Sequence, residues 1–91
     1  MIHELKILPE FFEPVSNEYK TFELRKNDRD YKTGDILILN EWDVEGYTGR
    51  SVTRRVEYIY EGDGSYGLKR GYCILGLSVW DGLNLENYNP K

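Results

Sequence analysis

Four consecutive aliphatic residues, Ile36-Leu37-Ile38-Leu39, lie between Gly34-Asp35 and Asn40-Glu41. No other feature narrows the choice of fold as much. The block is too short for a helix with such flanks, and it lacks the one-sided stripe that a surface helix shows. It fits a strand covered on both faces. With 91 residues the chain has one domain's worth of sequence, so that cover must come from within the domain.

The segments around this strand read in the same way. Residues 2–8 form a short strand that Pro9 stops. Pro9-Glu10-Phe11-Phe12-Glu13 suits a first helical turn, with proline and acids at the start. Phe11, Phe12, Val15 and Tyr19 give this helix an apolar face, and Pro14 limits its regularity. Residues 21–25 alternate, which predicts Phe22 and Leu24 facing inward and Thr21, Glu23 and Arg25 sharing the opposite face. Residues 43–50, with Gly46 and Gly49, predict a hairpin connection into a long strand over about 51–60. A glycine-rich loop at 61–67 precedes a last strand at 72–80, whose stripe is Cys73, Leu75, Leu77 and Val79. Residues 81–91 are polar and are expected to fray. The expected fold is mainly β (α+β): a small barrel of about five strands with one early helix. It spans residues 1–80 and is followed by a polar tail. Antiparallel strands in so small a domain avoid exposed edges by curling.

Charge excludes one class of function. Twelve Lys and Arg stand against sixteen Asp and Glu, a net −4, so nucleic acid would not be held by bulk positive charge. The distribution is uneven. Residues 20–32 carry Lys20, Arg25, Lys26, Arg29 and Lys32 against Glu23, Asp28 and Asp30, whereas residues 1–18 carry Lys6 against Glu4, Glu10, Glu13 and Glu18. A single cysteine, Cys73, excludes an internal disulfide and a multi-cysteine zinc site, and it reads as an inert core thiol. There is no phosphate-binding glycine loop, nucleophile elbow or paired-cysteine motif, so no cofactor and no metal is expected. Neither a signal peptide nor an apolar run of about 20 residues is present, and a cytoplasmic protein without membrane contact is expected.

The densest chemical patch is Lys20-Thr21-Phe22-Glu23-Leu24-Arg25-Lys26-Asn27-Asp28-Arg29-Asp30. Glu23 and Arg25 on one strand face would hold each other beside a ligand. A carboxylate accepts from a base amine, and a guanidinium forks onto phosphate or carbonyl. The plainer alternative is a solvated face whose Glu–Arg pair contributes under about 1 kcal/mol. Arg50, Arg54 and Arg55 form a second basic cluster, and Lys69-Arg70 beside Tyr66 and Tyr72 form a third. Cations among tyrosines suit single-stranded nucleic acid; an ordinary charged surface over core tyrosines is the alternative. Arg54 shares a strand face with Val52, Val56 and Tyr58, so it is either paired at the barrel mouth or displaced by a bulge. His3 reads as a structural histidine near the helix, or as a hydrogen-bonding residue of a site.

Lys20-Thr21-Phe22-Glu23-Leu24-Arg25 resembles the G-x-K-x-x-E-x-R signature of ASCH domains, which are PUA-like β-barrels. Glu18 stands where that signature has glycine. His3-Glu4-Leu5-Lys6-Ile7, Pro9-Glu10-Phe11-Phe12, Gly34-Asp35-Ile36-Leu37-Ile38-Leu39 and Gly71-Tyr72 extend the likeness to a small bacterial and phage subfamily labelled a domain of unknown function. The resemblance implies a cleft lined by Lys20, Glu23 and Arg25 and a role in binding RNA or a modified nucleoside or nucleotide. The binding candidates are His3, Lys20, Thr21, Glu23, Arg25, Lys26, Asn27, Arg29, Arg54 and Tyr72. Some ASCH proteins hydrolyse N-acetylated cytidine with a lysine, a threonine and a glutamate. Lys20 matches that lysine and Glu23 stands at the threonine, so amidohydrolysis by Lys20 and Glu23 is the alternative activity. A protein-interaction module is a third possibility.

Overall fold

A computed structural model describes residues 1–80 of the chain. The expected polar tail, 81–91, lies outside the described residues. The elements run β1 (Ile2–Ile7), α1 (Pro9–Ser16), β2 (Phe22–Lys26), β3 (Ile36–Asp43), β4 (Gly46–Glu61), a single 3-10 turn (Ser65–Gly67) and β5 (Tyr72–Val79). Over the described residues the protein is therefore mainly β, with five strands and one early helix, as the turn and periodicity signals indicate. Among the described residues no helix is long and apolar enough to cross a membrane.

The strands form one sheet in the order β1-β3-β4-β5-β2. Sequence patterning suggests antiparallel strands throughout, but β1 pairs parallel to β3, with Leu5 opposite Leu39. A parallel pair needs a long crossover, and α1 and β2 lie within it. The sheet curls into a half-barrel. Its two edges, β1 and β2, meet through side chains: Arg25 Nη2 donates to the Lys6 carbonyl at 2.8 Å, and Arg29 Nη1 to the Glu4 carbonyl at 3.2 Å. Phe12 and Val15 of α1 pack with Leu5, Ile7, Leu37, Leu39, Val56, Cys73 and Leu75 inside the curl.

Three further expectations need correction. The β3–β4 hairpin is tighter than 43–50, because Asp43 already pairs with Gly46. A bulge in β4 between Val56 and Tyr58 reverses the alternation, so Ile59 faces the core opposite Leu75 and Tyr58 is 67% exposed. The faces of β2 are also inverted. Glu23 pairs with Leu75 and Arg25 with Cys73, which puts both charged residues on the core side of the sheet. Phe22 and Leu24 point outward, at 44% and 55% exposure, opposite Gly76 and Ile74 of β5. A one-residue choice of phase moves every side chain to the other face, and pairing with the buried stripe of β5 makes that choice.

The position where Glu18 replaces the signature glycine follows α1. Its φ is 66°, in the left-handed region that glycine favours, and its N–H bonds the Val15 carbonyl at 3.1 Å. The turn into β2 keeps a glycine-like backbone although the residue is not glycine.

Candidate functional site

Glu23 is 3% exposed, and a lone carboxylate at such a position would cost several kcal/mol. Two cations compensate it. Lys20 Nζ donates to Oε1 at 2.8 Å, and Arg25 Nε donates to Oε2 at 2.8 Å. Lys20 is positioned by the turn after α1, where its N–H bonds the Pro14 carbonyl at 2.9 Å. Its ammonium also donates to the Phe22 carbonyl at 2.8 Å. It stands over the rings of Phe22 and Phe11, at 4.8 and 5.4 Å from their centroids. Arg25 therefore does two things: it neutralises Glu23 and fastens β2 to β1 through Lys6.

These side chains open onto a cleft of about 580 Å³ between β2, the end of β1 and the start of α1. Phe11, Phe22 and Leu24 supply apolar wall, while Lys20, Glu23 and Arg25 supply charge. The size suits a small organic ligand. On the other side of Lys6 and Arg25 lies a second hollow of about 730 Å³, lined also by Arg29, Asn40, Tyr47 and Arg50.

In the second hollow Glu41, 3% exposed, is gripped by Arg50 through Nε and Nη2, each at 2.8 Å, and by the Thr48 hydroxyl at 2.6 Å. Hydrogen bonds from Arg50, then Thr48, bring the Glu41 carboxyl down to about 2. Arg50 also pairs with Glu13 at 2.8 Å and covers the Phe12 ring at 4.5 Å, tying β4 to α1.

The remaining sequence candidates are distributed over the fold. Lys26 lines the first cleft and Arg29 the second hollow. Thr21 is exposed, and its carbonyl accepts from the Leu77 N–H at 2.9 Å. Asn27 Nδ2 donates to Glu61 at 3.0 Å, while its Oδ1 is buried without a partner. Arg54 is paired, as one of its two expected alternatives had it: Nη2 donates to the carbonyls of Val15 and Ser16 at 2.9 and 3.5 Å, at the C-terminal end of α1. Tyr72 lies opposite Lys26 at the start of β5.

His3 is buried and belongs to a different cluster. Its Nε2 is 2.7 Å from Asp35 Oδ2, and its ring meets Tyr31 edge-on at 4.8 Å. Asp35 also accepts from the Lys32 N–H at 2.9 Å and the N-terminal ammonium at 3.1 Å. Burial pushes the Asp35 pKa up, but its hydrogen bonds outweigh that and leave it lowered. Neither of the two hollows is lined by His3 or Asp35.

Sequence reasoning missed Lys6, Phe11 and Phe22 as cleft residues, and Glu41 and Tyr47 beside them. Lys6 had a weak signal, since it alternates with the inward Leu5 and Ile7 on an edge strand. Glu41 had none, because only cross-strand register brings Arg50 and Thr48 to it.

Residues 2–77 match the family described as "Domain of unknown function (DUF3850)". A relative from Escherichia phage P2, the "Uncharacterized 12.9 kDa protein in GpA 3'region", is 46% identical over 55 residues. That stretch is 60% of this chain and 50% of the phage protein, so the match spans about half the relative's length.

Proposed function

The chain belongs to the DUF3850 family, and for this member we propose a binding role: it holds single-stranded RNA through one nucleotide seated in the cleft at Lys20, Glu23 and Arg25. The observation that carries this reading is the buried carboxylate of Glu23, clamped by two cations where an apolar wall opens. Glu23 accepts from an exocyclic amine, while Lys20 and Arg25 donate to base carbonyls or phosphate. Phe11 and Phe22 offer ring faces, and a stacked base contributes about 1–3 kcal/mol. The ASCH-like spacing of Lys20, Glu23 and Arg25 supports the same reading and makes a PUA-like barrel part of it. Lys20 spends ammonium donors on Glu23 and the Phe22 carbonyl instead of standing as a free base, which favours holding a ligand over hydrolysing one.

The test is fluorescence anisotropy with a short labelled RNA across a salt series. Binding is expected to weaken with salt and with Lys20→Ala or Arg25→Ala. Unchanged affinity in both folded variants overturns the site. A DNA strand of the same sequence measures sugar preference. Release of cytidine from N-acetylcytidine by the intact protein would replace the binding reading with amidohydrolysis.

One observation favours a protein-docking role as a second reading. On the outer face Phe22, Gly76 and Tyr58 form one cross-strand row and Leu24, Ile74 and Tyr60 the next. An apolar face of this kind often marks a protein contact. Light scattering that reports a monomer at high concentration, together with unchanged solubility in Leu24→Ser, would remove self-association from consideration.

A further inference from the structure

The two hollows adjoin each other, with Lys6 and Arg25 lining both of them. We infer that together they form one groove across the seam between the β1 and β2 edges, which takes two successive nucleotides, with the first base in the cleft at Phe11 and Phe22, the linking phosphate at Lys6 and Arg29, and the second base against Tyr47. This deepens the RNA reading and rests on it.

The charge inventory at the seam supports a phosphate there. Arg25 has its Nε on Glu23, and Arg50 is spent on Glu41 and Glu13. Lys6 and Arg29 differ. Among the described residues the Arg29 side chain makes a single hydrogen bond, to the main-chain carbonyl of Glu4. Lys6 Nζ sits over the rings of Trp42 and Tyr47, at 4.8 and 5.9 Å, with no carboxylate in contact among the described residues. Two cations without an acidic partner among the described residues, at the junction of two hollows, provide a place for one anionic group.

The contents of the two hollows divide the work. The first has the apolar wall that a base needs, and its acid Glu23 is internally neutralised. In the second, Glu41 is neutralised by Arg50, and Glu4, bonded to the neutral amide of Asn40 at 3.2 Å, keeps a charge that Lys6 and Arg29 offset at the seam. Tyr47 is 64% exposed and stands at the rim beside Lys6. An exposed ring next to a cation is the combination that single-stranded nucleic acids use for stacking and charge together.

The experiment compares a nucleoside 5′-monophosphate, the corresponding dinucleotide with the same terminal phosphate and a trinucleotide by calorimetry. Wild-type protein, Tyr47→Ala and Tyr47→Phe are used, each checked for native circular dichroism. The dinucleotide is expected to bind about tenfold tighter than the monophosphate, with little gain from a third nucleotide. Tyr47→Ala should erase most of that gain and weaken monophosphate binding far less, and Tyr47→Phe should keep the gain. Equal affinity for monophosphate and dinucleotide in the wild type overturns the two-nucleotide groove and leaves the first cleft standing. Equal weakening of both ligands by Tyr47→Ala, or loss of the gain in Tyr47→Phe, also overturns it. Absence of binding by all three ligands defeats the RNA reading itself, and this inference with it.

Discussion

Arg25 reaches from one edge strand of the sheet to the other, its Nη2 donating to the Lys6 carbonyl at 2.8 Å. The same guanidinium holds Glu23, so ligand cleft and barrel seam depend on one side chain.

Arg25→Ala should therefore lower stability by about 2 kcal/mol or more, because it strands part of a buried charge. Adding Glu23→Gln should recover some of that loss, since the stranded carboxylate is what costs. Urea midpoints of the two single variants and the double variant measure this, and strictly additive losses would contradict it.

Acid should weaken the fold through Glu41. Its folded pKa, lowered from 4.5 to about 2 by Arg50 and Thr48, means that the carboxylate form is favoured by folding. Its stabilising contribution is complete above 4.5 and is lost as pH falls toward about 2. Asp35, also lowered, acts in the same direction. Denaturation midpoints against pH should fall over this range, and Glu41→Gln, less stable at neutral pH, should show a shallower fall.

Arg54→Ala should cost about 1–2 kcal/mol by uncapping the Val15 and Ser16 carbonyls of α1. RNA affinity of the folded variant should stay unchanged, which a titration at low temperature would show. A selective loss of affinity without loss of stability would return Arg54 to the binding surface.

Glu18→Gly should stabilise the protein by about 0.5–1 kcal/mol, because the residue holds a φ of 66° and, among the described residues, no hydrogen bond or ion pair to its side chain offsets the strain. Gly62→Ala should do the opposite, by about 2–3 kcal/mol. Its new Cβ would meet the main-chain carbonyls of Lys69 and Tyr72. Thermal melts of both variants provide the comparison.

Much of the fold is legible in the chain. Pro9 ends β1, the 36–39 block marks β3, and the cysteine stripe marks β5. The trio Lys20, Glu23 and Arg25 was also visible as a cluster, and it does share one cleft. Its surroundings were not. Lys6, Phe11 and Tyr47 come from other strands and from the helix, and no spacing in the sequence links them to residue 23.

By itself the sequence determined where strands begin and end, because turn residues and apolar periodicity act over a few neighbouring positions. It also placed Glu23 and Arg25 on one face and Phe22 and Leu24 on the other. Only tertiary structure decided which of those faces is the inside. Alternation is symmetric under exchange of its two faces, and the symmetry is broken by pairing with β5, where Leu75 and Cys73 already point to the core. Lys20 and Arg25 make that outcome affordable by neutralising Glu23. The net charge of −4 likewise describes the whole chain, whereas curling of the sheet gathers Lys6, Arg25 and Arg29 at one seam.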